Sequence, residues 1–173
     1  MRIVGGRWAG RALTSPADFR VRPTAESVRA ALVELLAPEL KGARVLDLFA
    51  GTGALGLEAM SRGAARADFV ETRPASLHAL RANVAALHVR KRTRIFKRDA
   101  IPFAAALPAT AYDVAFADPP YGSRMADRVI ESWLARPYAR VLAVEHDAAQ
   151  ALPAGGRRHA FGDTAVTIYR VET

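Results

Sequence analysis

The sequence has 173 residues, 51% of them hydrophobic and none of them cysteine, which suits one well-filled domain and excludes disulfides and thiolate chemistry. A net charge of +8 and a pI of about 10.7 favour a polyanionic partner such as nucleic acid. No stretch approaches the roughly 20 apolar residues of a membrane span, no signal peptide is recognisable and the four histidines lack metal-ligand spacing, so we expect a cytoplasmic protein without membrane contact or metal.

The first segment along the chain, residues 1–23, is predicted to be a basic, loop-rich arm. Arginines outnumber acids in it, and its glycines and Trp8 suit a flexible segment that becomes ordered on RNA. The candidate RNA-binding residues of the arm are Arg2, Arg7, Trp8, Arg11 and Arg22. Thr24 then suits a helix N-cap, and apolar residues follow at helical spacing until Pro38, which predicts a helix over 25–36.

From residue 44 onward, apolar strand-like runs alternate with helical patterns, which indicates βαβ units and a parallel sheet in a single domain, 24–173. The tail differs, because two β-prone runs are joined by Gly162-Asp163, a hairpin turn signal. Strands are predicted at 44–49, 67–71, 93–97, 112–117, 140–145, 157–161 and 164–171, and further helices at 55–62, 75–87, 101–107 and 125–135.

A glycine-rich turn follows the first predicted strand and opens a helix. The run Gly51-Thr52-Gly53-Ala54-Leu55-Gly56 satisfies the dinucleotide fingerprint, and Glu71 ends the next strand at about the offset where an acid binds ribose hydroxyls. The pattern therefore predicts a nucleotide-containing ligand. The alternative is a glycine turn used only for tight packing.

Two further acids bear on which ligand binds. Asp47 would repel a pyrophosphate but would suit the ammonium and cationic sulfur of S-adenosylmethionine; its alternative role is to bond the N–H groups of the loop. Asp99 ends the third strand and could accept a hydrogen bond from an adenine amine, or could instead cap the following helix.

The fourth predicted strand ends in Asp118-Pro119-Pro120-Tyr121. Prolines lack N–H donors and an ionised aspartate only accepts, so this segment offers hydrogen-bond acceptors and an aromatic ring to a flat, amine-bearing group. Ligands of open α/β sheets bind at this edge. The alternative is that the prolines end the strand and Asp118 caps the next helix.

In combination these residues resemble the class I S-adenosylmethionine-dependent methyltransferases that act on exocyclic amines. The glycine-loop segment from Asp47 to Gly53, the acids Glu71 and Asp99, and the Asp118 motif match in order. Within that class the chain resembles the RsmD family, which methylates guanine N2 of 16S ribosomal RNA at the nucleotide conventionally called G966. The segments that carry this narrower resemblance are Arg2-Ile3-Val4-Gly5-Gly6 with Gly10-Arg11, Arg22-Pro23-Thr24 with Val28-Arg29, and Phe161-Gly162-Asp163-Thr164.

The resemblance implies a Rossmann-like α/β fold with a mostly parallel seven-stranded sheet, a C-terminal antiparallel hairpin and helices on both faces. It implies S-adenosylmethionine as cofactor, and a monomer that acts on 16S rRNA or on an assembly intermediate of the small ribosomal subunit. The cofactor-binding residues would be Asp47, Phe49, Ala50, Gly51, Thr52, Gly53, Glu71, Thr72, Asp99, Ala100 and Asp118. The catalytic residues would be Asp118, Pro119, Pro120 and Tyr121, with the tyrosine stacked on the base.

A second basic run covers residues 90–98, where Arg90, Lys91 and Arg92 are candidate RNA contacts, although such runs are often solvated faces. Three other functions stay open at this point: an amino methyltransferase acting on adenine N6 or on another nucleic acid, a non-catalytic ribosome-assembly protein, and a nucleotide-dependent oxidoreductase.

Overall fold

A seven-stranded sheet forms the centre of the computed structural model, which describes residues 1–17 and 23–173. The strand order is β3-β2-β1-β4-β5-β7-β6. The first five strands are parallel, and β7 runs antiparallel to both β5 and β6, so the predicted mostly parallel sheet with a C-terminal hairpin is confirmed. The strands are β1 (Arg44–Leu48), β2 (Arg66–Val70), β3 (Thr93–Phe96), β4 (Tyr112–Ala117), β5 (Ala139–Asp147), β6 (Arg157–Phe161) and β7 (Thr164–Arg170).

Helices cover both faces of this sheet. They are α1 (Pro23–Leu35), α2 (Ala37–Leu40), α3 (Ala54–Ser61), α4 (Pro74–Ala86), α5 (Ala100–Ala105) and α6 (Met125–Ala135). Neighbouring residues of a strand point to opposite faces, so Val45 joins the core beneath α1 to α4 while Leu46 joins the core beneath α5 and α6. Strands β1, β2, β4 and β5 are buried on both sides, as their apolar runs predict, whereas β3 and β6 at the two edges of the sheet are partly exposed.

Two element boundaries differ from the sequence prediction in an informative way. Pro38 was expected only to end the first helix, but it lies in the first turn of α2, where a missing N–H costs nothing. Strand β5 continues two residues beyond its predicted end because β7 pairs with it as far as Asp147.

The N-terminal segment 1–17 is packed on the domain. An antiparallel bridge joins Arg2 to Ala12, and Ile3 and Trp8 belong to the core under α3. Trp8 is only 9% exposed, so the expectation that it contacts RNA is wrong for this structure, as is the expectation that this part of the arm is loose. Burial of the apolar surface of Trp8 in the core lowers the free energy relative to its exposure to water. Arg22 lies outside the described residues.

Buried polar groups of α3 and α4 hold this segment in place. The carboxylate of Glu58 accepts hydrogen bonds from the backbone N–H groups of Val4 and Gly5, each at 2.9 Å, and the hydroxyl of Ser61 accepts one from Trp8 N at 2.9 Å. The side-chain oxygen of Asn83 accepts one from Thr14 N at 2.6 Å. These contacts satisfy backbone groups that would otherwise be buried without a partner.

The order of strands brings the two predicted motifs together. Strand β1 lies between β2 and β4, so the direction of progression through the sheet reverses beside β1. The segments that follow β1 and β4 therefore emerge side by side at the carboxyl edge, the position at which open α/β sheets bind ligands. Within the described residues, no helix combines the length and apolar content needed to cross a bilayer.

Candidate active site

A cleft of about 1250 Å³ opens at the carboxyl edge of the sheet. Nine predicted site residues lie in its walls: Phe49, Glu71, Thr72, Asp99, Ala100, Asp118, Pro119, Pro120 and Tyr121. The turn of the β6–β7 hairpin supplies another wall, because β7 begins opposite the end of β5. Most of the residues singled out at strand ends are thus brought to one cavity.

The segment after β1 makes a tight turn whose backbone is constrained at three points. Phe49, Gly51 and Gly53 all have positive φ, at 58°, 56° and 82°. A Cβ on Gly53 would lie 2.4 Å from Leu80 Cδ1, whereas the space beside Gly51 is open. A positive φ is unfavourable for phenylalanine, and such strain is typical of binding sites, which agrees with the position of Phe49 in the cleft wall.

The remaining residues of this turn are placed behind the cleft. Ala50, Gly51, Thr52 and Gly53 are not among its lining residues. Thr52 is buried, and its carbonyl accepts a hydrogen bond from the Asn83 amide at 2.9 Å. Their contribution is to shape the turn that presents Phe49.

Asp47 does not line the cleft, so its predicted contact with the cofactor ammonium is not supported by the geometry. Its side chain is 2% exposed, and Oδ2 accepts a hydrogen bond from Gly56 N at 2.9 Å. Burial raises the pKa of Asp47 well above its ordinary value, with smaller contributions from Asp118 and Glu71. Asp47 therefore fills its alternative role, in which it bonds an N–H group at the start of α3.

Glu71 is both a structural and a ligand-facing carboxylate. Its oxygens accept hydrogen bonds from Gly51 N at 2.8 Å, Thr72 N at 3.1 Å and Arg73 N at 2.9 Å. These bonds fix its orientation at the cleft wall and join the turns after β1 and β2. A carboxylate has about four lone-pair sites, so acceptor capacity remains for ribose hydroxyls.

Asp99 precedes α5 at the N-cap position but forms no capping hydrogen bond with its side chain. The side chain is exposed and lines the cleft. This geometry favours the ligand-binding role of Asp99 over the capping role.

The Asp118 motif presents hydrogen-bond acceptors at the cleft wall. Among residues 1–17 and 23–173, none donates a hydrogen bond to the Asp118 carboxylate or to the Pro119 carbonyl. The Pro120 carbonyl is different, because it accepts from the Ser123 hydroxyl at 2.7 Å. Tyr121 is 45% exposed, and its hydroxyl lies 3.0 Å from Thr164 Oγ1 and 3.5 Å from Glu145 Oε1.

A second carboxyl group, Glu145, lies beside Asp118. The side chain of Asp118 opens onto the cleft and is otherwise surrounded by protein; this burial and, secondly, the charge of Glu145 raise its pKa to about 8. Burial also raises the pKa of Glu145, against the opposing effects of the Tyr121 hydrogen bond and the charge of Arg29. The two groups repel each other when both are ionised.

Comparison with known proteins identifies the family. The family model described as Conserved hypothetical protein 95 matches residues 1–170. The chain belongs to this family. Among its relatives, ribosomal RNA small subunit methyltransferase D of Escherichia coli strain K12 is 39% identical over 140 residues, which cover 78% of this chain and 70% of that protein. The resemblance to the RsmD family is therefore confirmed.

Solved structures agree with this family assignment. The Escherichia coli protein yhhF is 34% identical, with a TM-score of 0.85 over 99% of this chain and 98% of that one. A Thermus thermophilus 16S rRNA N2 G1207 methyltransferase in complex with AdoMet and guanosine is 21% identical, with a TM-score of 0.73 over 99% of this chain and 49% of that one, which shows a shared fold.

Arginines that surround the cleft of this RsmD-family chain were only partly recognised from sequence. Arg73, Arg98 and Arg128 line the cleft and are exposed. By contrast, Arg90, Lys91 and Arg92 form a short 3-10 turn at the amino end of β3, at the opposite edge of the sheet. Of the arm, Arg2, Arg7 and Arg11 are exposed, and Arg11 donates to the Ala86 carbonyl at 3.0 Å.

Sequence reasoning missed Glu145, Thr164 and Arg128 as members of the RsmD-family site. Glu145 was read as the last residue of a strand, and a strand-end acid is the signal that could have identified it. Thr164 and Arg128 come from the hairpin and from α6, whose approach to the cleft depends on tertiary packing. In the parts of the chain that the structure describes, no group of three His, Cys, Asp or Glu residues could hold a metal ion.

Proposed function

We propose that this chain transfers a methyl group from S-adenosylmethionine to the exocyclic N2 amine of a guanine in 16S ribosomal RNA. One observation carries the proposal: the Asp118 carboxylate and the Pro119 carbonyl line a large cleft and accept no hydrogen bond from the described residues, and Glu71 and Asp99 line the same cleft. Membership of the RsmD family supports the reaction class and the substrate.

The cleft fits the cofactor in size and in chemistry. Its volume of about 1250 Å³ exceeds the 300–1,000 Å³ of ordinary ligand pockets, which leaves room for an adenosyl group and a nucleobase together. Glu71 is oriented to accept from ribose hydroxyls and Asp99 from the adenine amine. When bound, the cofactor supplies an electrophilic methyl group on a cationic sulfur. Asp47 is buried and does not line the cleft, so we assign it a supporting role in which it holds Gly56 at the start of α3.

Asp118 and Pro119 activate the amine by position. The lone pair of an exocyclic guanine nitrogen delocalises into the ring, so the nitrogen is a weak nucleophile. Two acceptors that bind its two N–H groups hold the nitrogen near pyramidal geometry and direct its lone pair at the methyl group. The ionised form of Asp118 is the better acceptor, and a bound cation favours ionisation despite the raised pKa.

Tyr121 orients the base. Its ring is exposed at the cleft, and its hydroxyl is tethered to Thr164 of the terminal hairpin, so the ring has a fixed face on which a base can stack. The target base must be unpaired or flipped out of a helix, because a stacked amine cannot enter the cleft. The exposed arginines at the cleft, Arg73, Arg98 and Arg128, bind the flanking phosphates.

We propose that the chain acts as a monomer, with a cleft that contains Asp118, Pro119 and Tyr121 together. We propose that the substrate is naked 16S rRNA or an assembly intermediate of the small subunit and that the chain acts in the cytoplasm.

The test is a transfer assay with isotope-labelled cofactor and small ribosomal subunits prepared from cells that lack this activity. We expect the wild-type chain to label the rRNA, and Asp118→Ala to reduce transfer by about 100-fold or more, because both the charge and an acceptor are removed. Calorimetry should show a much smaller loss of cofactor affinity than of transfer, because Glu71 and Asp99, which are assigned to the ribose and the adenine, are unchanged.

Glu131→Ala is the matched control, because Glu131 is an exposed acid of α6 outside the cleft lining. Its transfer rate should equal that of the wild type. Wild-type activity in Asp118→Ala, or failure of the wild-type chain to bind the cofactor, contradicts the proposal.

A further inference from the structure

Asp118, which directly follows β4, and Glu145 of β5 lie side by side at the carboxyl edge of the sheet. Strands β4 and β5 are parallel, with Ala117 opposite Val144, so Asp118 and Glu145 are the next residues in register. Residues opposite each other on adjacent strands lie about 4.8 Å apart and project from the same face. The two carboxyl groups therefore face one part of the cleft.

The described residues give this pair of carboxyl groups few hydrogen bonds or ion pairs. Across the described residues, neither carboxyl group forms an ion pair, and the one hydrogen bond to Glu145 is the long contact from the Tyr121 hydroxyl at 3.5 Å. Arg29 influences Glu145 electrostatically but is paired with Glu58, 3.4 Å away. With no ion pair and only this long hydrogen bond among the described residues, the two carboxylates keep acceptor capacity for a ligand that offers more than one donor.

The Watson–Crick edge of guanine offers such donors side by side, the ring N1–H and the N2 amine, whereas the same edge of adenine places an acceptor at N1. Resting on the function proposed above, we infer that Glu145 is a specificity residue that accepts the N1–H of the target guanine while Asp118 and Pro119 hold its N2 amine. An adenine presented to the same site would direct the N1 lone pair at the Glu145 carboxylate and would leave that acceptor unpaired.

The pKa values agree with this arrangement. Burial raises the pKa of both groups, so the fully ionised pair is unfavourable in the free cleft. Guanine donates hydrogen bonds to both carboxyl groups and so favours the pair in which both are ionised. In that state Asp118 is a stronger acceptor than when it is protonated. Glu145 thus links recognition of the base to the state of the residue that holds the amine.

The experiment compares two RNA substrates that differ at the target nucleotide, guanosine and 2-aminopurine riboside. 2-Aminopurine keeps the amine at position 2 but has no N1–H. We expect the wild-type chain to prefer guanine in kcat/KM by about 100-fold or more, as for other sites in which a buried polar group loses its partner. Glu145→Gln should reduce the preference to less than about tenfold, because an amide can accept from N1–H or donate to a bare N1.

The comparison between proteins separates the role of Glu145 from the intrinsic reactivity of the two amines. Glu131→Gln, on the exposed face of α6, should keep the wild-type preference. If the wild type methylates guanine and Glu145→Gln keeps the full preference, the inference is wrong while the proposed function stands. If the wild type methylates neither RNA, the proposed function itself fails.

Glu145→Asp provides a second variant should Glu145→Gln fold poorly, which a thermal melt would show. Aspartate keeps the charge but withdraws the carboxylate by one methylene, so the preference for guanine should fall between those of the wild type and Glu145→Gln. An unchanged preference in Glu145→Asp would also contradict the inference.

Discussion

Asp118 combines two properties that oppose each other in the free protein. Its acceptor role needs the ionised form, yet its burial and the charge of Glu145 raise its pKa to about 8. A catalytic site often stores such unfavourable electrostatics, because the ligand relieves them on binding. The consequence is a stability cost in the unliganded protein.

This cost should appear in the pH dependence of stability. The folded protein keeps a proton on Asp118 up to about pH 8, whereas the unfolded chain loses it near the ordinary value of 3.8. The folded state therefore binds more protons between about pH 4 and pH 8, and the contribution of Asp118 to stability falls as pH rises through that window. Asp118→Asn should remove this decline and raise Tm at pH 8 relative to the wild type.

Thermal melts of the free proteins at pH 5 and pH 8 test this expectation. The lowered pKa of His146 acts in the opposite direction but is common to both proteins, so it cancels in the difference between them. Equal Tm differences at the two pH values would show that Asp118 titrates normally.

At the residue scale, sequence reasoning identified the acids at strand ends but not all of their partners. Glu71, Asp99 and Asp118 follow from their places after strands, because those places meet at one edge of the sheet. Asp47 also ends a strand, but its side chain turns towards Gly56, and no sequence pattern distinguishes that direction. Glu145 gains its role from the register with β4, which the sequence does not specify.

At the scale of elements, the N-terminal segment 1–17 is the largest departure from the predicted structure. Its charges and glycines suggested a loose arm, yet Gly6 serves close packing. Gly6 has a φ of 78°, and a Cβ there would lie 2.2 Å from the carbonyl oxygen of Ser61. The sequence could not show this contact, because Ser61 is 55 residues away from Gly6 along the chain.

Gly10 offers a matched comparison for Gly6. It has a similar φ of 83°, but no atom lies within 4 Å of the Cβ position. Alanine at either position pays the cost of positive φ, about 1 kcal/mol, and only Gly6→Ala adds the clash. Gly6→Ala should be less stable than Gly10→Ala by about 1–3 kcal/mol. Urea denaturation measures the difference, and equal midpoints would mean that the N-terminal segment 1–17 does not pack on α3.

The strands and longer helices were predicted more completely than the N-terminal segment 1–17, since their apolar periods depend on local sequence. Helix α2 was missed because it is shorter than the window in which a helical period is visible. Extension of β5 to Asp147 was missed because β7, not β5 itself, determines where pairing ends.

At the scale of the whole molecule, the positive charge surrounds the cleft as well as the sheet edge. The net charge of +8 predicted a polyanionic partner but could not place the contact surface. Arg98 and Arg128 line the cleft, whereas Arg90 and Lys91 lie at the far edge of the sheet. The two pairs carry the same charge but differ in position, because only Arg98 and Arg128 lie at the cleft proposed to bind the target base.

Salt dependence of RNA binding should distinguish these groups. The double substitution of Arg98 and Arg128 to alanine should weaken binding and reduce the slope of log K against log salt by about one to two, because each phosphate contact on single-stranded RNA contributes about 0.7. The matched double substitution of Arg90 and Lys91 should change the slope less. A larger change from the second pair would move the RNA surface to the far edge.

The proposed methyl transfer depends on a cleft in which oxygen acceptors hold a guanine amine. The most direct measurement is the identity of the methylated nucleoside after the wild-type chain has acted on undermethylated small subunits, determined by digestion and mass spectrometry. We expect N2-methylguanosine as the labelled product, absent when Asp118→Ala replaces the wild type. Label in N6-methyladenosine, or in any nucleoside methylated at a site other than an exocyclic guanine amine, would contradict the account.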